Sequence, residues 1–174
     1  NNLYANSGIV VEINVHQDIP KYDHFGALKG LEYQKNLEKL AFTAGGRTQT
    51  APAQRLTDFV DGTLSNTLND CSYQPGLKSA PLHSLLPKII GGRLRTGFKE
   101  FGKKMKGYYT EEANVIGVES RTSSPVSIPR KENLEHTEIE GLYPCGEGGG
   151  YAGGIVSAAM DGERCAEAAI KGDW

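Results

Sequence analysis

Gly141-Leu142-Tyr143-Pro144-Cys145-Gly146-Glu147-Gly148-Gly149-Gly150-Tyr151-Ala152-Gly153-Gly154-Ile155 reads as a short strand, a glycine loop and the first turn of a helix. Gly148, Gly150 and Gly153 satisfy G-x-G-x-x-G in the strand-to-helix setting that a dinucleotide fingerprint requires. A complete fingerprint also needs a second strand after its helix, with an acidic residue about 20 positions on. The sequence ends at Trp174, inside or just after that helix, so no βαβ unit is expected from this stretch and an NAD(P)-binding Rossmann enzyme is disfavoured.

Working outward, Ile155, Ala158, Ala159, Gly162, Cys165, Ala166, Ala169 and Ile170 fall at helical spacing on one face, and Asp161, Glu163, Arg164, Glu167 and Lys171 on the other. Gly172 is the expected stop. The small side chains of the apolar face would let the helix axis lie close to a sheet. A glycine loop feeding a helix start exposes unpaired N–H groups at the positive end of the helix dipole, which suits an anionic or carbonyl-bearing ligand. A glycine turn that only packs the helix is the alternative. The density of glycine around the embedded Glu147 favours the ligand.

The 174 residues carry a net charge of −2, so neither nucleic acid nor an anionic membrane is implied as a partner. There is no apolar run of membrane-spanning length and no signal-peptide pattern at the start. Cys71, Cys145 and Cys165 make no zinc spacing, the four histidines are scattered, and no metal site is expected. Sparse, odd cysteine usage fits a reducing compartment, and the expected location is cytoplasmic. Cys145 reads as a buried, inert thiol, with no second cysteine near it in sequence. The first residue is Asn1 rather than Met, so the chain is expected to be a piece of a longer one.

Upstream, Ile9, Val11, Ile13 and Val15 alternate with polar neighbours and predict a half-buried strand. A helix is expected from Phe25 to Ala44, ended by Gly45-Gly46, and a second from Pro52 with Leu56, Phe59 and Val60 as its apolar face. Residues 64–81 read as loop. A third helix is expected from about Leu85 to Lys104, with Pro87 in its first turn and Leu86, Ile89, Ile90, Leu94, Phe98 and Phe101 inward. Its basic end, Lys99, Lys103, Lys104 and Lys106, reads as a solvated face. Val115, Ile116 and Val118 predict a strand, Val126 and Ile128 extend again, and residues 130–140 read as a charged linker.

Two stretches, GVESRTSSPVSIPR at 117–130 and GLYPCGEGGGYAGGIVSAAMDGERCAEA at 141–168, resemble the C-terminal part of bacterial FAD-dependent dehydrogenases of the NAD(FAD)-utilizing dehydrogenase family. APAQRLTDF at 51–59, LHSLLP and KKMKGYY resemble the same family. The resemblance implies a mixed α+β or α/β fold. Residues 1–128 would form a middle substrate or cap region with a helical insertion at about 25–106. Residues 129–174 would form the C-terminal strand, loop and helix of a discontinuous Rossmann-like FAD-binding domain, whose N-terminal segment is a missing partner. The resemblance assigns cofactor contacts to Gly146, Glu147, Gly148, Gly149, Gly150, Tyr151, Ala152, Gly153, Gly154 and Ile155, with the Glu147 carboxylate on a ribityl hydroxyl. A helix dipole at the flavin edge that becomes anionic on reduction is worth up to about 2 kcal/mol.

The same resemblance carries the 119–125 stretch back toward the flavin. Arg121 could then bind a substrate carboxylate or phosphate, with Thr122, Ser123 and Ser124 as hydroxyl donors. A Ser/Thr turn with Arg121 in a structural ion pair is the equal alternative, and no general acid or base is assigned. The function implied is a flavin-dependent oxidoreductase of unknown substrate, with NAD(P)H as a candidate donor and this piece inactive alone. A non-catalytic domain docking a protein or RNA is the second reading.

Overall fold

A computed structural model describes residues 3–121 and 123–172. Thr122, one of the candidate substrate contacts, lies outside the described residues. The chain divides into two compact units, Asn1–Asp18 with Lys35–Val118, and Ile19–Gln34 with Glu119–Trp174.

The first unit is organised by β1 (Ala51–Arg55), which runs straight into α2 (Leu56–Asp61). The sequence pattern places Pro52 in a helical first turn, whereas the structure places it in a strand. A proline biases the residue before it toward extended backbone, which holds Ala51 in the strand. The strand is then fixed by pairing on both sides: β2 (Leu77–Ser79) lies parallel to it with Ala51 opposite Leu77, and β3 (Asn114–Ile116) antiparallel with Ala53 opposite Ile116. Pro52 sits just beyond the end of β3, where its carbonyl still accepts from Gly117 N–H at 3.1 Å. The missing proline N–H therefore falls at the margin of the ladder. Strand β2 lies within the stretch expected to be loop; three residues are too few to leave a periodic signal.

Helix α2 buries Leu56, Phe59 and Val60 as its spacing predicts, and stops at Gly62, whose φ of 77° is open to glycine. Phe59 meets Phe98 edge to face at 5.9 Å. Phe98 and Ile90 belong to α4 (Lys88–Lys104), and Pro87 is its N-cap rather than part of its first turn, so the expected third helix begins three residues later than its pattern suggests, after a separate short helix α3 (Leu82–Leu85). Ala53, Leu82 and Leu86 complete this core. Buried Gln54 stitches it to the following loop: its Nε2 donates to Thr63 O at 2.6 Å and its Oε1 accepts from His83 N–H at 2.8 Å.

Two expectations along the chain change. Ile9, Val11, Ile13 and Val15 are half-buried and their neighbours exposed, as alternation predicts, but they join no ladder among the described residues. Burial was legible there, pairing was not. The helix expected from Phe25 begins instead at Lys29: residues Pro20–Leu28 form a 3₁₀ segment broken at Gly26 (φ 55°, ψ −126°), and α1 follows as Lys29–Ala44. It ends at Gly45-Gly46 as expected. Among the described residues no helix is long and apolar enough to cross a membrane.

Candidate functional site

In the second unit, α5 (Ile155–Lys171) starts from Gly154, an extended residue whose N–H donates to Ser157 Oγ at 3.1 Å. Ala158 N–H is the first donor to close a helical bond, to Gly154 O at 2.8 Å. The N–H groups of the turn before it are the unpaired donors that every helix start presents. Gly153, Gly154 and Ile155 are all exposed there.

Before α5, the glycine loop closes on itself: Gly150 N–H donates to Glu147 O and Tyr151 N–H to Gly146 O, both at 3.0 Å. Different glycines serve different ends. Gly150, at φ 85°, lies where a Cβ would fall 2.7 Å from Val126 O and 2.8 Å from Ser127 Cα, so the extended 124–128 segment packs directly on it. A Cβ on Gly149 would press on the Cys145 backbone at 3.0 Å. Gly148 is the contrast: it is exposed, and a Cβ there would meet nothing within 4 Å. Glu147 beside it is exposed as well. Build and access are thus divided between neighbouring glycines.

The structure brings the 124–128 stretch to this loop. Ile128 N–H donates to Gly149 O at 3.1 Å, and Ser124 Oγ donates to Val126 O at 2.7 Å and reaches Gly148 O at 3.5 Å. Arg121 and Ser123 are exposed. Tyr151 is held on this segment too, its hydroxyl donating to Ile128 O at 2.6 Å.

Arg130 is the residue that sequence reasoning missed. Its guanidinium donates through Nη2 to Asp161 Oδ1 at 2.8 Å and through Nη1 to Asp161 Oδ2 at 3.0 Å and Pro144 O at 2.9 Å. The Tyr151 ring lies under it, 3.5 Å from centroid to the guanidinium carbon. Asp161 in turn accepts from Gly146 N–H at 2.9 Å. The Arg130 fork and the Gly146 N–H hold the Asp161 carboxyl below its ordinary range, and the carboxylate holds Arg130 charged. One buried ion pair therefore anchors the loop to the second turn of α5. The signal in the sequence was an aspartate one turn before Cys165, but it had been assigned to the solvent face.

That reassignment rotates the helix. Ala158, Asp161, Gly162, Cys165, Ala168 and Ala169 face inward, while the expected inward residues Ile155, Ala159, Ala166 and Ile170 are exposed. Ile155 is 93% exposed, Val156 71%, Met160 52% and Ile170 80%. Two other expectations are corrected. Residues 141–143 make no ladder among the described residues; His136 N–H takes Leu142 O at 2.7 Å instead. Residues 130–136 are no open linker but a tight turn closed by the Arg130–His136 bridge and by Lys131 N–H to Glu135 O at 2.7 Å.

The basic end of α4 is a solvated face as expected: Lys99, Lys103, Lys104 and, just beyond the helix, Lys106 are exposed, with Lys103 paired to Glu100 at 2.6 Å. Arg93 and Arg95, earlier in α4, are engaged by Asp18 at 3.1 Å and by Phe59 O at 3.2 Å. Among the described residues no group of three or more His, Cys, Asp or Glu is placed to hold a metal.

Two comparisons with known proteins bear on this geometry. Residues 1–122 match the family described as FAD-dependent protein, C-terminal domain-like. An uncharacterized protein of Clostridium beijerinckii is 40% identical over 169 residues, which cover 96% of this chain and 31% of the relative. The chain therefore spans about a third of the length of the relative it matches, and the glycine loop lies beyond the residues matched by the family but within those shared with the relative.

Proposed function

Because the chain belongs to the family of FAD-dependent proteins with this C-terminal domain-like region, we propose that it forms part of a FAD-dependent oxidoreductase and supplies one wall of its flavin site. In this reading residues 129–174 are the closing segment of a discontinuous FAD-binding domain, and residues 1–128 its substrate-facing or cap region. The observation that carries it is the pairing of an open glycine and a helix start with an apolar helix face that nothing in its own unit covers. Ile155, Val156 and Met160 make an exposed apolar strip at the start of α5, and Ile170 is exposed again in its last turn. A further segment of a longer protein would cover that strip.

The residues present suit a flavin. Gly148 leaves open space above the loop, the first turn of α5 offers unpaired N–H donors, and Glu147, next to Gly148 in the chain, is exposed. The N–H groups of Ile155, Val156 and Ser157, at the positive end of the helix, would bind the pyrimidine carbonyl edge and favour negative charge there. Glu147 would accept from a ribityl hydroxyl. Arg130 and Asp161 act one step back, fixing the loop on which these donors sit. Bound FAD supplies the hydride or electron chemistry, with NAD(P)H as the candidate donor. Arg121, exposed at the end of the segment that packs on the loop, would orient an anionic substrate group, and Ser124 would hold that segment in place.

The test is a visible absorption spectrum of the longer protein, with Glu147→Ala beside it. The expected result is the two bands of oxidised flavin in the parent protein and flavin lost on dialysis from the variant. A charged hydrogen bond of this kind is worth about 1.5–3 kcal/mol. A colourless parent protein overturns the cofactor, and a variant that keeps its flavin as tightly overturns the Glu147 role.

A further inference from the structure

Cys145 and Cys165, which look unrelated in the sequence, are brought together by the fold. Cys145, expected from the sequence to be buried, is exposed, whereas Cys165 is buried, 3% accessible, and both are free thiols. The residues on each side of Cys145 are fixed to the α5 turns that carry Asp161 and Cys165. Pro144 O lies 3.8 Å from Cys165 Sγ, and Gly146 N–H is bonded to Asp161. A Cβ on Gly146 would lie 3.8 Å from Ala158 Cβ, so the loop rests directly on the helix. Cys145 lies between these two anchored residues, so the fold sets it against the turns of α5 that carry Asp161 and Cys165. Arg130 Nη1 lies 3.3 Å from Cys165 Sγ.

We propose that Cys145 and Cys165 form a redox-active thiol pair that closes to a disulfide by exchange with a small-molecule disulfide, fastening the glycine loop to α5. The inference does not depend on the flavin reading.

Exposure and placement divide the roles. Thiol–disulfide exchange proceeds by thiolate attack and depends on access. Cys145, at the surface, is the thiol that reaches the incoming disulfide. Its thiolate attacks one sulfur, forming a mixed disulfide and releasing one equivalent of small thiol. Cys165 then loses its proton to solvent, and its thiolate attacks Cys145 Sγ. The new Sγ–Sγ bond forms as the second equivalent of small thiol leaves. Two electrons pass from the protein thiols to the small disulfide, and two small thiols are produced. Burial is the main influence on Cys165 and pushes its thiol up, opposed by the neighbouring Arg130 guanidinium, so Cys165 suits the second, resolving step better than the first.

The test is equilibration of the protein with mixtures of reduced and oxidised glutathione, followed by acid quenching, alkylation under denaturing conditions and peptide mass mapping. The expected product is a cross-linked pair of peptides carrying Cys145 and Cys165, lighter by two hydrogens, with Cys71 alkylated. In Cys165→Ser the reaction should halt with one glutathionyl group on Cys145. In Cys145→Ser, Cys165 should remain reduced. The wild-type map decides the matter even if a variant folds poorly. Glutathionyl persisting on wild-type Cys145 with Cys165 alkylated, a bridge through Cys71, or no oxidation of the pair where Cys71 is oxidised overturns the proposal.

Discussion

The β1–α2 core and the glycine loop–α5 region are held by different forces. Around Phe59 the contacts are apolar and the polar atoms of Gln54 are satisfied inside the same unit. Around Gly146 the fastening is ionic and backbone-based, through Arg130, Asp161 and Pro144 O, while aliphatic side chains of α5 face solvent. A region that buries its apolar residues contains its own reason to fold. One that also ties its loop down with an ion pair depends on charge as well. The two units differ in how they are fastened rather than in exposure alone, since the first also shows Val10, Phe42 and Leu64 to solvent.

The contrast can be broken most strongly at Phe59. Phe59→Ala should cost about 3–5 kcal/mol through lost contacts and the cavity left against Phe98. Segment-resolved hydrogen exchange should show protection lost in 51–60 and in α4. If α5 loses protection first, the first unit is not the self-sufficient one.

Asp161→Ala should cost about 3 kcal/mol, because Arg130 would be left charged and poorly paired in a site that is mostly buried. Here the exchange should rise in residues 144–165. Replacing both partners together, Arg130→Met with Asp161→Leu, should be milder than either single change by urea melting, since no charge is then stranded. A double variant as damaged as the sum of the singles would mean that the two side chains do not act as a pair.

Acid should distinguish the two regions as well. Burial lowers the pKa of His83 from its ordinary 6.5, so as the pH falls through that value the unfolded chain takes up a proton that the folded one refuses. Stability of the Gln54–His83 core should therefore decline as the pH falls below 6.5 and level off once the folded histidine is also protonated. The Asp161 carboxyl is held below its ordinary 3.8, so its contribution is present above that value and is lost as the pH falls through the lower, folded value. Local exchange measured across pH 3 to 7, on the order of the spacing between these two ordinary pKa values, should show the first unit loosening at the milder acidity. The reverse order would contradict the assignment of forces.

How much of this was legible beforehand follows the same division. Leu56, Phe59 and Val60 were readable as a buried face because burial in that unit is local and periodic. Gly62 and Gly45-Gly46 marked ends for steric reasons that act within a few residues. The glycine loop and the helix start at Gly154 were readable on the same ground. Strand β1 was obscured because its pairing partners lie far along the chain, and Pro52 suggested a helix start. The inward face of α5 was assigned wrongly because periodicity finds where apolar residues cluster, not which cluster the chain itself covers. Arg130 and Asp161 were invisible as a pair for the same reason: a long-range ion pair leaves no local pattern.

The smallest expected effect is the most discriminating for the exposed strip. Ile155→Ser and Met160→Ser should change the stability of this chain by no more than about 0.5 kcal/mol, as surface substitutions do. In the longer protein the same changes should lower the melting temperature, because a covered aliphatic side chain would then be replaced. Equal, negligible effects in both would show that the strip is never covered.

The measurement that bears most directly on the proposed flavin site is the FAD dissociation constant of the longer protein carrying Gly148→Leu. Gly148 has no neighbour within 4 Å for an added Cβ to strike, so the side chain should fold without strain and project into the open space assigned to the cofactor. The account predicts an unchanged melting curve for the cofactor-free protein, with flavin binding weakened by well over tenfold. Flavin bound by Gly148→Leu as tightly as by the parent protein would contradict it, and would return the glycine loop to a turn that only packs a helix.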